Sequence, residues 1–107
     1  MPITVIAEFP KVEGRDPRQE YDELTREMND GQPMTQLSDW GDGLLSHTYS
    51  VDENGEAVAI DVWEHERGME AFMQRLQPIL EREAMTPRVR VLATHNLVTG
   101  ARSPSRA

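Results

Sequence analysis

From Ile3 to Phe9 the chain is apolar and β-branched, with Ile3, Val5, Ala7 and Phe9 on one side. That pattern predicts a first strand, largely buried and closed by Pro10. Asp16-Pro17-Arg18-Gln19 then has the chemistry of a helix start. The carboxylate can accept from free backbone N–H groups, the proline suits the first helical position, and the glutamine can reach back. Tyr21, Leu24 and Met28 fall on one helical stripe, and Asn29-Asp30-Gly31 ends it at a glycine able to take the left-handed cap.

Gln32 to Gly43 is a long connection carrying Leu37 and Trp40 among polar residues and glycines. Two readings stay open: a lid over a pocket, or a plain connection whose Leu37 and Trp40 plug the edge of the core. A second strand runs from Gly43 to Val51 and turns at Asp52-Glu53-Asn54-Gly55, where Asn-Gly is a strong hairpin signal. The third strand follows from about Glu56 to His65, with Val58, Ile60 and Val62 on one face and Ala59, Asp61 and Trp63 on the other.

A second helix starts near Glu66. Met69, Phe72, Met73, Leu76, Ile79 and Leu80 keep helical spacing for three turns, the clearest periodicity in the chain. Pro78 is expected to kink or split it. Val89, Val91, Ala93 and His95 alternate with polar and apolar neighbours as a fourth strand. The order β-α-β-β-α-β is the split-βαβ, ferredoxin-like plan, an α+β fold with a four-stranded antiparallel sheet and both helices on one face. Residues 1–99 form one domain on this reading, and Gly100 to Ala107 a mobile tail. The sheet's other face needs a cover, and a second copy is the simplest one.

Composition narrows the function. A chain of 107 residues is one domain by size and buries roughly 65% of its unfolded surface, so its core is thin. A formal charge of -8 argues against nucleic acid as a partner. There is no cysteine, which excludes disulfides, thiolate chemistry and cysteine-ligated metals. No stretch has the length and apolarity of a membrane span and no signal pattern opens the chain, so a soluble cytoplasmic protein is expected.

Gly43-x-Leu45-Ser46-His47, Asp61-Val62-Trp63-Glu64, Phe72 with Leu76-x-Pro78-x-Leu80, and Val89-x-Val91-x-x-x-His95-Asn96 together resemble the small dimeric α+β barrel proteins. This superfamily includes antibiotic-biosynthesis-monooxygenase-type domains, and the resemblance runs from about Ile3 to Val98. It implies a homodimer with packed sheets. Its members include cofactor-free oxygenases of polyketide aromatics, haem-degrading enzymes, and small isomerases or cyclases. The tryptophan near the end of the third strand, here Trp63, is the element most often shared. The haem-degrading branch needs a histidine in the following helix. This helix has none after His65, with Met73 about where the ligand would stand, and the first strand lacks the early asparagine.

Strand parity gives the sharpest chemical expectation. His47 and Tyr49 share a face of their strand, as do Asp61 and Trp63 of theirs, and the hairpin register decides whether the two sets face the same way. If they do, Asp61 can orient His47 and favour its protonated form, making the imidazole a usable base near neutral pH. His95 offers a second proton donor. Tyr49 and Trp63 offer an aromatic wall, joined by Trp40 and Phe72. Plain structural roles compete: a core histidine, an aspartate bonded to backbone or arginine, a core tryptophan, and a strand-ending His95-Asn96. Ser46 and His47 point to opposite faces, a poor serine–histidine pair. His47, His95 and Asp61 lack the spacing of a tight metal motif.

The leading reading is a small homodimeric enzyme without a tightly bound cofactor. Its substrate is a hydrophobic, aromatic or polyketide-like metabolite, and its reaction an acid/base-assisted oxygenation, cyclisation or isomerisation. A second class stays open, a non-catalytic homodimer that only holds a small molecule.

Overall fold

The structure is a computed structural model that describes residues 1–100 of the chain. Its elements are β1 (Ile3–Phe9), α1 (Pro17–Met28), a 3₁₀ turn (Leu37–Trp40), β2 (Leu44–Val51), β3 (Ala57–Trp63), α2 (Glu66–Arg82) and β4 (Arg88–Ala93). The strands form one antiparallel sheet in the order β2-β3-β1-β4, with both helices against one face. The ferredoxin-like α+β fold is therefore present. Of the expected tail, only Gly100 lies within the described residues.

The helix ends follow their side chains. Asp16 caps α1 by accepting from the Arg18 N–H at 3.1 Å, with Pro17 in the first turn. Gly31 has φ +84° and donates its N–H to the Arg26 carbonyl at 2.7 Å, which closes the helix. His65 caps α2 through Nδ1, which accepts from the Gly68 N–H at 3.3 Å. Of the expected kink or split at Pro78 the split does not occur, since α2 runs unbroken through it. The missing N–H costs one intrahelical bond, and Ile79 and Leu80, both buried, hold the last turn to the core.

The hairpin differs in detail from the Asn-Gly expectation. Only Gly55 takes a positive φ, at +84°, and Asp52 organises the turn by accepting from the Asn54 and Glu56 N–H groups at 2.8 and 2.9 Å. The register is nonetheless clear, with Val51 opposite Ala57 and His47 opposite Asp61. Near the start of β2 the pairing steps from Leu44–Trp63 to Ser46–Val62, leaving Leu45 as an extra residue. This bulge reverses the parity, so that Leu44 and His47 both face the helices.

The core cluster joins Ile3, Val5, Trp40, Leu44, Trp63 and Phe72. Trp63 is its centre at 1% exposure. The opposite face of the sheet carries Ile6 and Ile60 on its middle strands and Leu92 on β4, with Ile60 and Leu92 exposed by 38% and 40%. No helix covers that face among the described residues, and none of their helices is long and apolar enough to cross a membrane.

Candidate functional site

Between the sheet and the helices lies a cavity of about 130 Å³. Val5, Ala59 and Asp61 form part of its floor, α1 contributes Tyr21 and Leu24, and α2 contributes Phe72. Apolar atoms dominate the lining. The Arg15–Glu20 ion pair also lines it, and a second polar group lies at the corner where β2, β3 and α1 meet.

That corner is a chain of three side chains. His47 and Asp61 are direct cross-strand partners, and their Nδ1 and Oδ1 atoms lie 2.5 Å apart. Both side chains are largely buried, at 13% and 12% exposure. A carboxylate accepts, so Nδ1–H is the donor and the second ring nitrogen, Nε2, is left for other work. It meets the hydroxyl of Tyr21 at 2.6 Å. With a neutral imidazole the phenol donates to Nε2, and with an imidazolium the direction reverses.

Aromatic rings hold this chain in place. Trp40 lies over His47 with centroids 4.5 Å apart, and Tyr49 stacks on Tyr21 at 4.2 Å. Tyr49 is itself fixed, its hydroxyl donating to the Pro17 carbonyl at 3.2 Å. Burial, and after it the charge of Asp61, pushes the Tyr21 hydroxyl up to about 12. Burial also raises that of Tyr49. No buried side-chain nitrogen or oxygen among the described residues lacks a hydrogen-bond partner.

The connection between α1 and β2 proves to be neither wholly lid nor wholly plug. Leu37 is 45% exposed, whereas Trp40 is buried and contributes to both core and cavity. Arg75 of α2 pins this segment by donating to the Trp40 carbonyl at 3.3 Å, and it reaches the end of α1 by donating to the Met28 carbonyl at 3.1 Å. The loop is thus tied to both helices.

The expected site residues separate into two groups. His47, Asp61, Tyr49, Trp40 and Phe72 all line the cavity. Trp63 does not, which corrects its reading as substrate wall. It faces the helices as its parity requires, but Phe72 packs on it at 5.8 Å and Gly68 closes over its ring. His95 is also displaced from the site. It lies exposed beyond the end of β4, and β4 and β2 are opposite edges of the sheet. Three strand spacings, roughly 14 Å, separate those edges. Among the described residues no group of three His, Asp or Glu side chains is gathered as a metal site.

Tyr21 is the member that sequence reasoning missed. It was legible only as one residue of an amphipathic stripe. The available signal was its hydroxyl, which needs a partner once the ring is buried, and His47 was the histidine on the face that α1 would cover.

No family model matches the chain, and no curated protein matches it in sequence. Solved structures do match. Rv0793 from Mycobacterium tuberculosis is 19% identical, with 92% of this chain and 100% of that one covered and a TM-score of 0.64. SnoaB, a cofactor-independent oxygenase from Streptomyces nogalater, is 17% identical over 92% and 98%, with a TM-score of 0.58. A candidate antibiotic biosynthesis monooxygenase from Deinococcus radiodurans is 13% identical over 94% and 99%, also at 0.58. At these identities the likeness is one of fold. What they share with this chain is the α+β fold, which the resemblance of its residues had implied.

Proposed function

We propose that the cavity is the site of a cofactor-independent acid/base reaction on a hydrophobic, aromatic ligand. The observation that carries this reading is the His47–Asp61 pair, buried against a largely apolar cavity that Arg15 and Glu20 also line. Such a pair adds little to stability compared with well-packed apolar residues of the same volume, so its presence asks for another role. An imidazole oriented by a carboxylate can accept a proton, because the carboxylate offsets the charge of the imidazolium. The ligand would be left as a carbanion or enolate conjugated with its ring. That species can close a ring, be reprotonated elsewhere, or react with dioxygen as co-substrate. Cyclisation, isomerisation and oxygenation thus share one first step, and SnoaB supplies a relative in fold for the last of them.

Volume limits the ligand. About 130 Å³ is close to the roughly 150 Å³ of an engineered apolar cavity that accepts benzene. One aromatic ring fills the space, and a larger polyketide-like skeleton would have to extend through the mouth. A second copy of the chain would cover the open sheet face, where Ile60 and Leu92 stand exposed on neighbouring parts of the apolar surface.

A non-catalytic holder is the second reading, favoured by the fact that both nitrogens of His47 already have partners within the chain. Screening aromatic and enolic metabolites for turnover by mass spectrometry separates the two. His47→Ala should abolish any turnover while the fold is retained. Turnover unchanged in that variant would remove His47 from the reaction. Native mass spectrometry of the same samples should give a dimer mass, and a monomer at micromolar concentration would rule out the shared sheet face.

A further inference from the structure

We propose that Tyr21, rather than His47, is the group that touches the ligand, and that it passes the ligand's proton on to His47. The inference deepens the acid/base reading of the cavity and rests on it. Three observations lead to it.

First, His47 has no free nitrogen. Asp61 takes Nδ1 at 2.5 Å and the Tyr21 hydroxyl takes Nε2 at 2.6 Å. Second, Trp40 lies over the ring of His47 with centroids 4.5 Å apart, while Tyr21, its ring nearly parallel at 11°, stands at the Nε2 edge. A ligand in the cavity therefore meets an imidazole whose two nitrogens are both taken, and its route to Nε2 passes through the phenol oxygen. Third, Tyr21 lines the cavity and is held against drifting away. Its ring is stacked on Tyr49, and its own helical turn is braced by Thr25, whose hydroxyl donates to the Tyr21 carbonyl at 2.8 Å.

The proton balance is simple. The ligand's C–H or O–H bond breaks and its proton joins the Tyr21 oxygen. In the same event the phenol's original proton leaves that oxygen for Nε2 of His47. The products are the ligand anion and an imidazolium facing Asp61, and the tyrosine is unchanged. Reprotonation of the product runs the two transfers backwards. The raised ionisation of Tyr21, caused first by burial and then by Asp61, disfavours a free phenolate. The two transfers are therefore coupled, and the oxygen never carries a full charge.

A single-ring reporter, 4-nitrophenol, tests this on the full-length protein, because its ionised form absorbs in the visible. At a pH where the free probe is mostly protonated, binding to the native protein should raise the ratio of nitrophenolate to nitrophenol by about tenfold, one unit of apparent acidity. Tyr21→Phe should bind the probe and lose that gain, and His47→Gln should lose it as well. If Tyr21→Phe keeps or increases the gain while His47→Gln loses it, the ligand reaches His47 directly and the relay is wrong, although the acid/base reading survives. A gain retained in His47→Gln sinks the acid/base reading itself. No binding, or no gain in the native protein, overturns the relay.

Discussion

Asp61 and Trp63 stand two residues apart on one strand, face the same pair of helices, and have opposite surroundings. Around Trp63 the space is closed: Phe72 packs on it, and a Cβ built on Gly68 would meet its ring at 2.9 Å. Around Asp61 the helices stand back and leave a cavity whose polar corner is chained together by short hydrogen bonds. The same sheet face thus serves as core at one end and as a candidate site at the other. Packing residues give stability where every atom has a neighbour. Residues kept for chemistry sit where an apolar replacement would pack as well or better.

Replacement at the closed end should have the largest effect. Trp63→Ala is expected to cost about 3–5 kcal/mol in urea unfolding, the range for emptying a large aromatic site in a core. A small loss would mean that this end is as loosely packed as the cavity, and the contrast would fail.

The glycine that seals this end makes a finer probe. In Gly68→Ala the new methyl would meet the Asp42 carbonyl oxygen at 2.4 Å as well as the Trp63 ring. Overpacking should outweigh the better helix propensity of alanine and leave a net loss of about 1–2 kcal/mol. The same unfolding curves measure it, and a gain in stability would show that the helix can shift freely off the tryptophan.

At the open end the expected behaviour is different in kind. His47→Leu strands the buried Asp61 without its hydrogen-bond partner and should cost about 1–3 kcal/mol. The double variant His47→Leu, Asp61→Val removes both and should recover most of that loss, because the pair is not what holds the sheet. If the double variant unfolds as easily as the single one or more so, the pair is structural.

The smallest expected effect is alkaline. Tyr21 ionises at about 12 in the folded protein against an ordinary value of 10.0, so the folded state holds its proton more tightly than the unfolded one. Its contribution is complete below pH 10 and is lost as pH rises toward 12. Asp61, Asp22 and Tyr49 act on this group in the same direction, behind burial. Stability followed by circular dichroism should fall across that window, less steeply in Tyr21→Phe, with Tyr49 leaving a residual slope. Equal slopes would assign the whole effect elsewhere.

Strand parity and helical spacing were enough to read the sheet, its order of elements and the pairing candidates His47 and Asp61. Those patterns are local, and local rules govern them. The parts that escaped depend on events across the chain. The Leu45 bulge puts Leu44 and His47 on one face, and alternation alone would have separated them. The meeting of Tyr21 with His47 depends on how α1 lies over β2, which a stripe of apolar residues does not define. His95 had the right parity but the wrong strand, since β4 stops at Ala93, opposite the first residue of β1. Trp63 showed the reverse: the right face, but a neighbour without a side chain closed the space above it.

Hydrogen–deuterium exchange into a single-ring carbon acid tests the central claim most directly, because it reports proton removal before any substrate is identified. Acetophenone incubated in deuterated buffer and read by mass spectrometry is a suitable probe, sized to a cavity of about 130 Å³. The native protein should label its methyl group roughly 100-fold faster than His47→Gln, within the usual worth of a positioned general base. Equal labelling by the two proteins would contradict the account.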